Sequence, residues 1–388
     1  MKRQLVMIAA ITALVSHLTG ARGQTWVPGG PTNSWTSIAS SADGSHLIVG
    51  ALAGRQVLLS TNYGDNWRTS NLPAIEWTAV ASSADGTYLA AASSSGPLYL
   101  STNSGSLWTT NHVPANNWGS LAMSADGRTL AAVVSVDGVP VYVTTNGGTS
   151  WSSNNVTGMP GATASCSADG RRLAVLTDGM FFSSTNAGTT WTFMSHVGVA
   201  NRNSPIASSA DGQNLAVGFT ADAIYTSTNF GATWTSNNVP HVTWVWIASS
   251  ADGTKLVAVA GGAPARGPNY SSTDSGVTWS SNNVASQFWF AACSSADGCR
   301  LAAVTGNAGI WRAQLPLSAQ LYVAPSPANL VLSWLVPSTA LALQQSTDLV
   351  TGTWTQVPDA PTLNLATLRY QSTVAPTNSQ NFYRLSGQ

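Results

Sequence analysis

Within residues 24–315, four carboxylates stand outside the repeated turns: Glu76, the only glutamate, and Asp137, Asp178 and Asp222. Cleaving a glycosidic bond needs two carboxyl groups about 5–10 Å apart, one to protonate the leaving oxygen and one to attack or activate water. These four are therefore the candidate catalytic residues. Arg55, Arg202 and Arg266 lie in loops expected on the same side. Asp137 and Asp178 are each followed by glycine, so each also reads as an ordinary turn residue. A second set could bind rather than react. Trp35, Trp77, Trp118, Trp244 and Trp289 each stand eight residues before the aspartate of a recurring turn. Indole faces stack on sugar rings and other flat ligands, and they equally well fill space between packed sheets. With Arg202 they are the candidate ligand-binding residues, a ring broken where Gly161 and Asn203 replace tryptophan.

Other chemistries find little support. His46, His112, His196 and His241 form no metal-ligand pattern, and Cys166, Cys293 and Cys299 lack metal-ligand spacing. There is no nucleophile elbow, phosphate loop or dinucleotide fingerprint, so no metal or cofactor is expected. Only 8% of residues are charged and the formal net charge is zero. No basic run exists to meet a phosphate backbone, which argues against nucleic acid as a partner. Cys293 and Cys299 flank residues 294–298 and could face each other across a hairpin; spacing alone leaves a disulfide open.

The aspartates that set the tryptophan spacing are Asp43, Asp85, Asp126, Asp169, Asp211, Asp252 and Asp297, at intervals of 42, 41, 43, 42, 41 and 45. Each belongs to Ser-Ala-Asp-Gly, and a leucine follows three residues after the glycine. Asp-Gly marks a tight turn between strands, because glycine accepts positive φ and aspartate bonds its own backbone. A period near 42 residues in a Gly-, Ser-, Thr-, Ala- and Trp-rich chain is the pattern of propeller blades. A second turn, "STNYGDNW" at 60–67, recurs in the first six units, with asparagine in the acid position everywhere except Asp274.

This second turn resembles the Asp-box of the sialidase-type BNR repeats. The whole of 24–315 is similar to the Asp-box and WD40/YVTN-like propeller class, which includes photosystem II assembly-factor-like proteins. The resemblance implies a structural role for the box: its Asn or Asp caps a turn and its Trp packs between sheets. Against the sialidase pattern, no arginine triad aligns and Glu76 has no matching tyrosine, which weighs against that activity.

The expected fold is all-β: a seven-bladed β-propeller over 24–315 followed by a small β-sandwich-like domain over 316–388. The seventh unit lacks a box and a fourth strand, and "QTWVPGG" at 24–30 supplies the missing strand, with Trp26 in the place of a box tryptophan. The C-terminal stretch resembles the small Ig- or fibronectin III-like modules of secreted bacterial proteins. Residues 1–23, with Lys2 and Arg3 before an apolar run and Ala21-Arg22-Gly23 at its end, read as a secretory signal peptide too short to span a bilayer. The expected location is secreted, periplasmic or at the cell surface.

In such a propeller the Ser-Ala-Asp-Gly turns and the boxes share one end. The variable loops carrying Glu76, Asp137, Asp178, Asp222 and the arginines share the other, where function is expected. The leading reading is a non-catalytic, monomeric binding protein for a glycan or an extracellular protein. A glycoside hydrolase and an assembly or scaffold factor are the alternatives.

Overall fold

The computed structural model describes residues 24–111, 113–135, 140–156, 161–198, 203–261, 266–282, 284–316, 319–327, 329–337, 339–349, 353–375 and 381–387, and every element in them is a β-strand. Strands up to Gln314 form seven four-stranded antiparallel sheets. The first contains Trp35–Ser40, Leu47–Ala51, Val57–Ser60 and Arg68–Thr69 in that order. Five more follow over 77–110, 118–155, 163–196, 206–236 and 244–281.

The seventh sheet is made from both ends of this region. Trp289–Ser294, Arg300–Thr305 and Ile310–Gln314 are joined by Trp26–Pro28 on the outer edge. Trp26 pairs with Ala313 and Val27 with Arg312, the register that Arg68 takes opposite Leu59 in the first sheet. The Trp26 side chain is 4% exposed and its ring lies 6.1 Å from that of Trp289.

The second strand of each unit is buried on both faces, as in Leu47–Ala51, Leu89–Ser93 and Leu130–Val134. Alanine and valine dominate there because neighbouring sheets approach closely on both sides. Innermost strands carry a bulge just after the leading tryptophan, for example between Trp35 and Ser37 and between Trp77 and Ala79. The bulge turns an extra hydroxyl toward the next sheet. Thr36 Oγ1 donates to Trp77 O at 2.8 Å, and Thr78 Oγ1 to Trp118 O at 2.7 Å.

The Ser-Ala-Asp-Gly turns are linked through backbone. Ala42 N–H donates to Ala84 O, Ala84 to Ala125, Ala125 to Ala168, Ala168 to Ala210, Ala210 to Ala251 and Ala251 to Ala296; Ala296 N–H then donates to Ala42 O at 2.6 Å. Glycine is required in these turns. Gly86 has φ +71°, and a Cβ there would sit 2.6 Å from His46 Cβ of the preceding unit.

Two smaller sheets follow. One holds Tyr322–Pro325, Leu330–Leu335, Arg369–Val374 and Thr362–Asn364; the other holds Thr355–Gln356, Leu341–Ser346 and Phe382–Gly387. Leu332, Trp334, Leu343, Val357 and Val374 form their shared core.

The disulfide left open by spacing is not formed, since all three cysteines are free thiols. Antiparallel register explains it: Cys293 pairs with Ala302, not with Cys299. Cys299 Sγ instead accepts from Lys255 Nζ at 3.3 Å. Burial pushes the Cys293 thiol up to about 12.

Candidate functional site

The two ends of the sheets differ in how they are built. At one end, each box turn bonds the Ser-Ala-Asp-Gly turn of its own unit, as in Tyr63 N to Ser45 O and Ser104 N to Thr87 O, both 2.9 Å. At the other, the loop between second and third strands pairs with the loop leading into the next unit, through bridges Gly96–Asn116, Asp222–Val242 and Gly267–Gln287. The candidate carboxylates that fall within the described residues lie at this second, loop end.

Glu76 precedes the strand Trp77–Ser82. Its Oε1 meets Arg55 Nη2 at 3.4 Å and its Oε2 accepts from Ser94 Oγ at 3.1 Å. The ion pair crosses from the first unit to the second and is exposed on both sides, so it contributes little stability. Asp178 lies in the turn between Thr177 and Met180, with φ of 48° at Asp178 and 76° at Gly179. Positive φ at both central residues is a type I′ hairpin turn, which accounts for the Asp-Gly pair. Asp222 accepts from Ala223 N at 2.8 Å and from Tyr225 Oη at 3.2 Å. Burial first, then the Asp222 carboxylate, pushes the Tyr225 hydroxyl above its ordinary value of 10.0. Glu76, Asp178 and Asp222 sit in the second, fourth and fifth units, and no hydrogen bond joins any two of them. Asp137 and Arg202 lie outside the described residues. Arg266 stacks its guanidinium over the Phe288 ring at 4.8 Å.

The tryptophans expected to offer a stacking ring do not do so. Trp35, Trp77, Trp118, Trp244 and Trp289 are 0–2% exposed. Indole N–H groups donate to backbone carbonyls: Trp35 to Pro31, Trp118 to Gly96, Trp244 to Asp222 and Trp289 to Gly267. Their rings meet third-strand aromatics edge-on, Trp77 on Tyr99, Trp118 on Tyr142 and Trp244 on Tyr270, at 5.4–5.6 Å. Packing wins because each ring buries a large apolar area between sheets, leaving no face for a ligand. In the fifth unit Phe219, buried and 5.8 Å from Tyr225, packs edge-on in the same manner. Phe219 stands eight residues after Asp211, where the other units carry Ala51, Ser93, Val134, Thr177, Ala260 and Thr305, so the repeat gave no aromatic signal there.

The repeated turn aspartates are structural. In every unit the serine two residues earlier donates to the aspartate at 2.6–2.7 Å: Ser41 to Asp43, Ser83 to Asp85, Ser124 to Asp126, Ser167 to Asp169, Ser209 to Asp211, Ser250 to Asp252 and Ser295 to Asp297. Burial works to raise the Asp43 and Asp85 carboxyls, but hydrogen bonds from Ser41 and Ser45, and from Ser83 and Thr87, outweigh it and hold both below the ordinary 3.8. The box residues cap in the same way: Asn62 Oδ1 accepts from Asn66 N at 2.9 Å, and Asp274 Oδ1 from Thr278 N at 2.8 Å.

The turn end holds a contact that the sequence did not signal. Ala42, Ala125, Ala168, Ala210, Ala251 and Ala296 form one buried apolar cluster with Val336, and Leu335, Leu368 and Tyr370 pack against it. The C-terminal sheets thus seat apolar side chains on the alanines of the linked turns. Among the described residues, no group of three or more His, Cys, Asp or Glu could hold a metal ion, and no helix is long and apolar enough to cross a membrane.

No family model matches the chain, and no curated protein matches it in sequence. Solved structures do resemble it. YCF48 from Cyanidioschyzon merolae superposes with a TM-score of 0.58 at 15% identity, covering 75% of this chain and 98% of its own. U3-55K superposes with a TM-score of 0.59 at 12% identity, with the same coverage of 75% and 98%. Together with the repeated four-stranded sheets, these likenesses show the fold, a β-propeller.

Proposed function

We propose that this chain is a closed, seven-bladed, Asp-box-type propeller that serves as a non-catalytic binding scaffold, taking an extracellular protein or a glycan at its loop end. Residues 1–23 are its export signal, and 316–388 are a sandwich-like domain fixed to the propeller. The alanine-to-alanine hydrogen bonds, which return from Ala296 to Ala42, support closure. The observation that carries the functional reading is the seating of Val336 and its neighbours on those alanines. That contact occupies the turn end with the chain's own residues and leaves the loop end to an outside partner. The state of the loop carboxylates agrees: Glu76 is held by Arg55 and Ser94, Asp178 serves a turn, and Asp222 is held by Ala223 and Tyr225.

The test is a glycan array, run beside crosslinking to exported proteins, with the chain starting at Gln24 and two variants. One variant combines Arg55→Ala with Glu76→Ala; the other carries Arg266→Ala. The ligand found with the parent chain should be lost in at least one variant while the melting temperature holds. Binding unchanged in both, or release of reducing sugar from an arrayed glycan, would overturn the proposal.

A further inference from the structure

In five of the boxes, the residue two before the tryptophan closes the box turn with its backbone N–H. Asp65, Ser106, Thr189, Ala232 and Val277 each donate to the carbonyl of the box Asn or Asp, at 3.1–3.3 Å. Gln24 holds the same place before Trp26, and the seventh unit has no box to take its N–H. The Gln24 N–H donates instead to Oδ1 of Asn282, in the sixth unit, at 2.9 Å.

Asn282 is turned from a recurring role to provide this seat. Three residues after a box tryptophan, Asn111 and Asn154 donate through Nδ2 to the box glycine of the following unit, Gly148 O at 3.2 Å and Gly188 O at 2.8 Å. The unit that follows Asn282 has no box, and Asn282 presents its oxygen to the neighbour instead of its N–H. That oxygen also accepts from Ser271 Oγ at 3.0 Å, and both residues are buried. Two donors thus fill the two lone pairs of one amide oxygen. The seat is matched to a single N–H from residue 24.

Removal of residues 1–23 as an export signal makes that nitrogen an α-amine, and the inference rests on that reading. An α-amine titrates near about 7.7–8.0, so at neutral pH it carries a charge and three N–H donors. Both are costly to hold on one shared, neutral acceptor. Glutamine removes both by its own chemistry. The free amine attacks Cδ of the same side chain. The N–Cδ bond forms, the Cδ–Nε2 bond breaks, and Nε2 leaves as ammonia with the proton given up by the amine. The product is a neutral five-membered lactam with one N–H, and no co-reactant is consumed.

We propose that Gln24 is the first residue of the exported protein and is present as pyroglutamate, its one N–H matched to Asn282. The strand Trp26–Pro28, which completes the seventh sheet opposite Ala313, Arg312 and Trp311, then begins at a neutral, blocked end. Aminopeptidases need a free α-amine, so the closing strand is protected from stepwise trimming at its start.

The test is mass spectrometry of the first proteolytic peptide from the full chain exported to a bacterial periplasm. That peptide should begin at Gln24, be lighter by one ammonia, and yield a free Thr25 end on treatment with pyroglutamyl aminopeptidase. A chain freshly cut by a site-specific protease immediately before Gln24, still open, is the reference for stability. The cyclised protein should melt above it by about 1 °C or more at neutral pH. The mass comparison uses the unaltered sequence, so it needs no variant to fold. An exported chain cut at another position would overturn the export reading and this proposal together. An open glutamine on a chain that does begin at Gln24 would overturn the proposal alone, and equal melting of the open and cyclised chains would overturn the match to Asn282.

Discussion

The six sheets built from continuous chain and the seventh, built from two separated segments, reach the same four-stranded form by different routes. In the continuous sheets the box hairpin fixes the outer strand to its neighbour within a few residues. The seventh lacks that local tie, so its outer strand is held by pairing over a long chain separation and by the burial of Trp26. The difference teaches that the hairpin is dispensable to the pairing: the seventh sheet keeps its ladder, Trp26 opposite Ala313 and Leu301 opposite the same residue on the other side.

The comparison breaks most readily at Trp26. The box tryptophans Trp67, Trp151 and Trp279 are only half-buried and their turns are fastened by serine and asparagine, whereas Trp26 is 4% exposed with no hairpin behind it. Trp26→Ala should cost about 3–5 kcal/mol, the range for emptying a buried aromatic site. Trp67→Ala should cost clearly less. Urea unfolding of both variants decides it; equal losses would mean that the terminal strand contributes no more than any other.

The turns should show the opposite, a seventh unit equivalent to the rest. Ser295 donates to Asp297 and Ser83 to Asp85, both at 2.6 Å, and each serine oxygen also accepts a backbone N–H five residues on, Arg300 N and Tyr88 N at 2.9 Å. Ser295→Ala and Ser83→Ala should each cost about 1–3 kcal/mol, because both leave hydrogen-bonding groups unpaired. A marked difference between them in denaturant midpoint would show that the seventh turn is under a separate constraint.

Acid should act through the same turns. The Asp43 and Asp85 carboxyls are held below their ordinary value, so their ionised forms are stabilised by folding. That stability is present above the ordinary 3.8 and is lost as pH falls below it through the lowered folded-state values. Combining Asp43→Asn with Asp85→Asn should therefore flatten the fall in melting temperature below pH 4 and leave its course above pH 6 unchanged. An acid limb as steep as the parent's would place the sensitivity elsewhere.

What was legible in the sequence was local chemistry. Asp-Gly, the preceding serine and the box asparagine each act within five residues, so spacing revealed both turns and the strands between them. Pairing of Trp26 with the seventh unit was also readable, because "QTWVPGG" repeats the missing element. The roles of the larger side chains were not. Trp77 and Trp118 occupy positions that could face a ligand or a neighbour, and only the third-strand tyrosines Tyr99 and Tyr142, more than twenty residues away, decide for burial. Cys293 and Cys299 flank a turn, yet the register offsets them.

The smallest effect tests whether the sixth box differs from the others in more than name. Asp274 is the one acid among the box caps; it accepts from Thr278 N at 2.8 Å and from Thr278 Oγ1 at 2.5 Å. Burial tends to raise its carboxyl, but the bonds from Thr278 and Ser272 outweigh it and hold it below its ordinary value. The turn is largely exposed, so water screens most of that advantage. An asparagine keeps the Oδ1 acceptor, as Asn229 shows by accepting from Thr233 N at 2.9 Å in the preceding unit. Asp274→Asn should therefore change stability at neutral pH by no more than about 0.5 kcal/mol. Since the charged form alone gains from the lowered pKa, any deficit at neutral pH should vanish as the pH falls through the ordinary aspartate value. A loss above about 1 kcal/mol that persists in acid would mean that the acid does more than cap its turn.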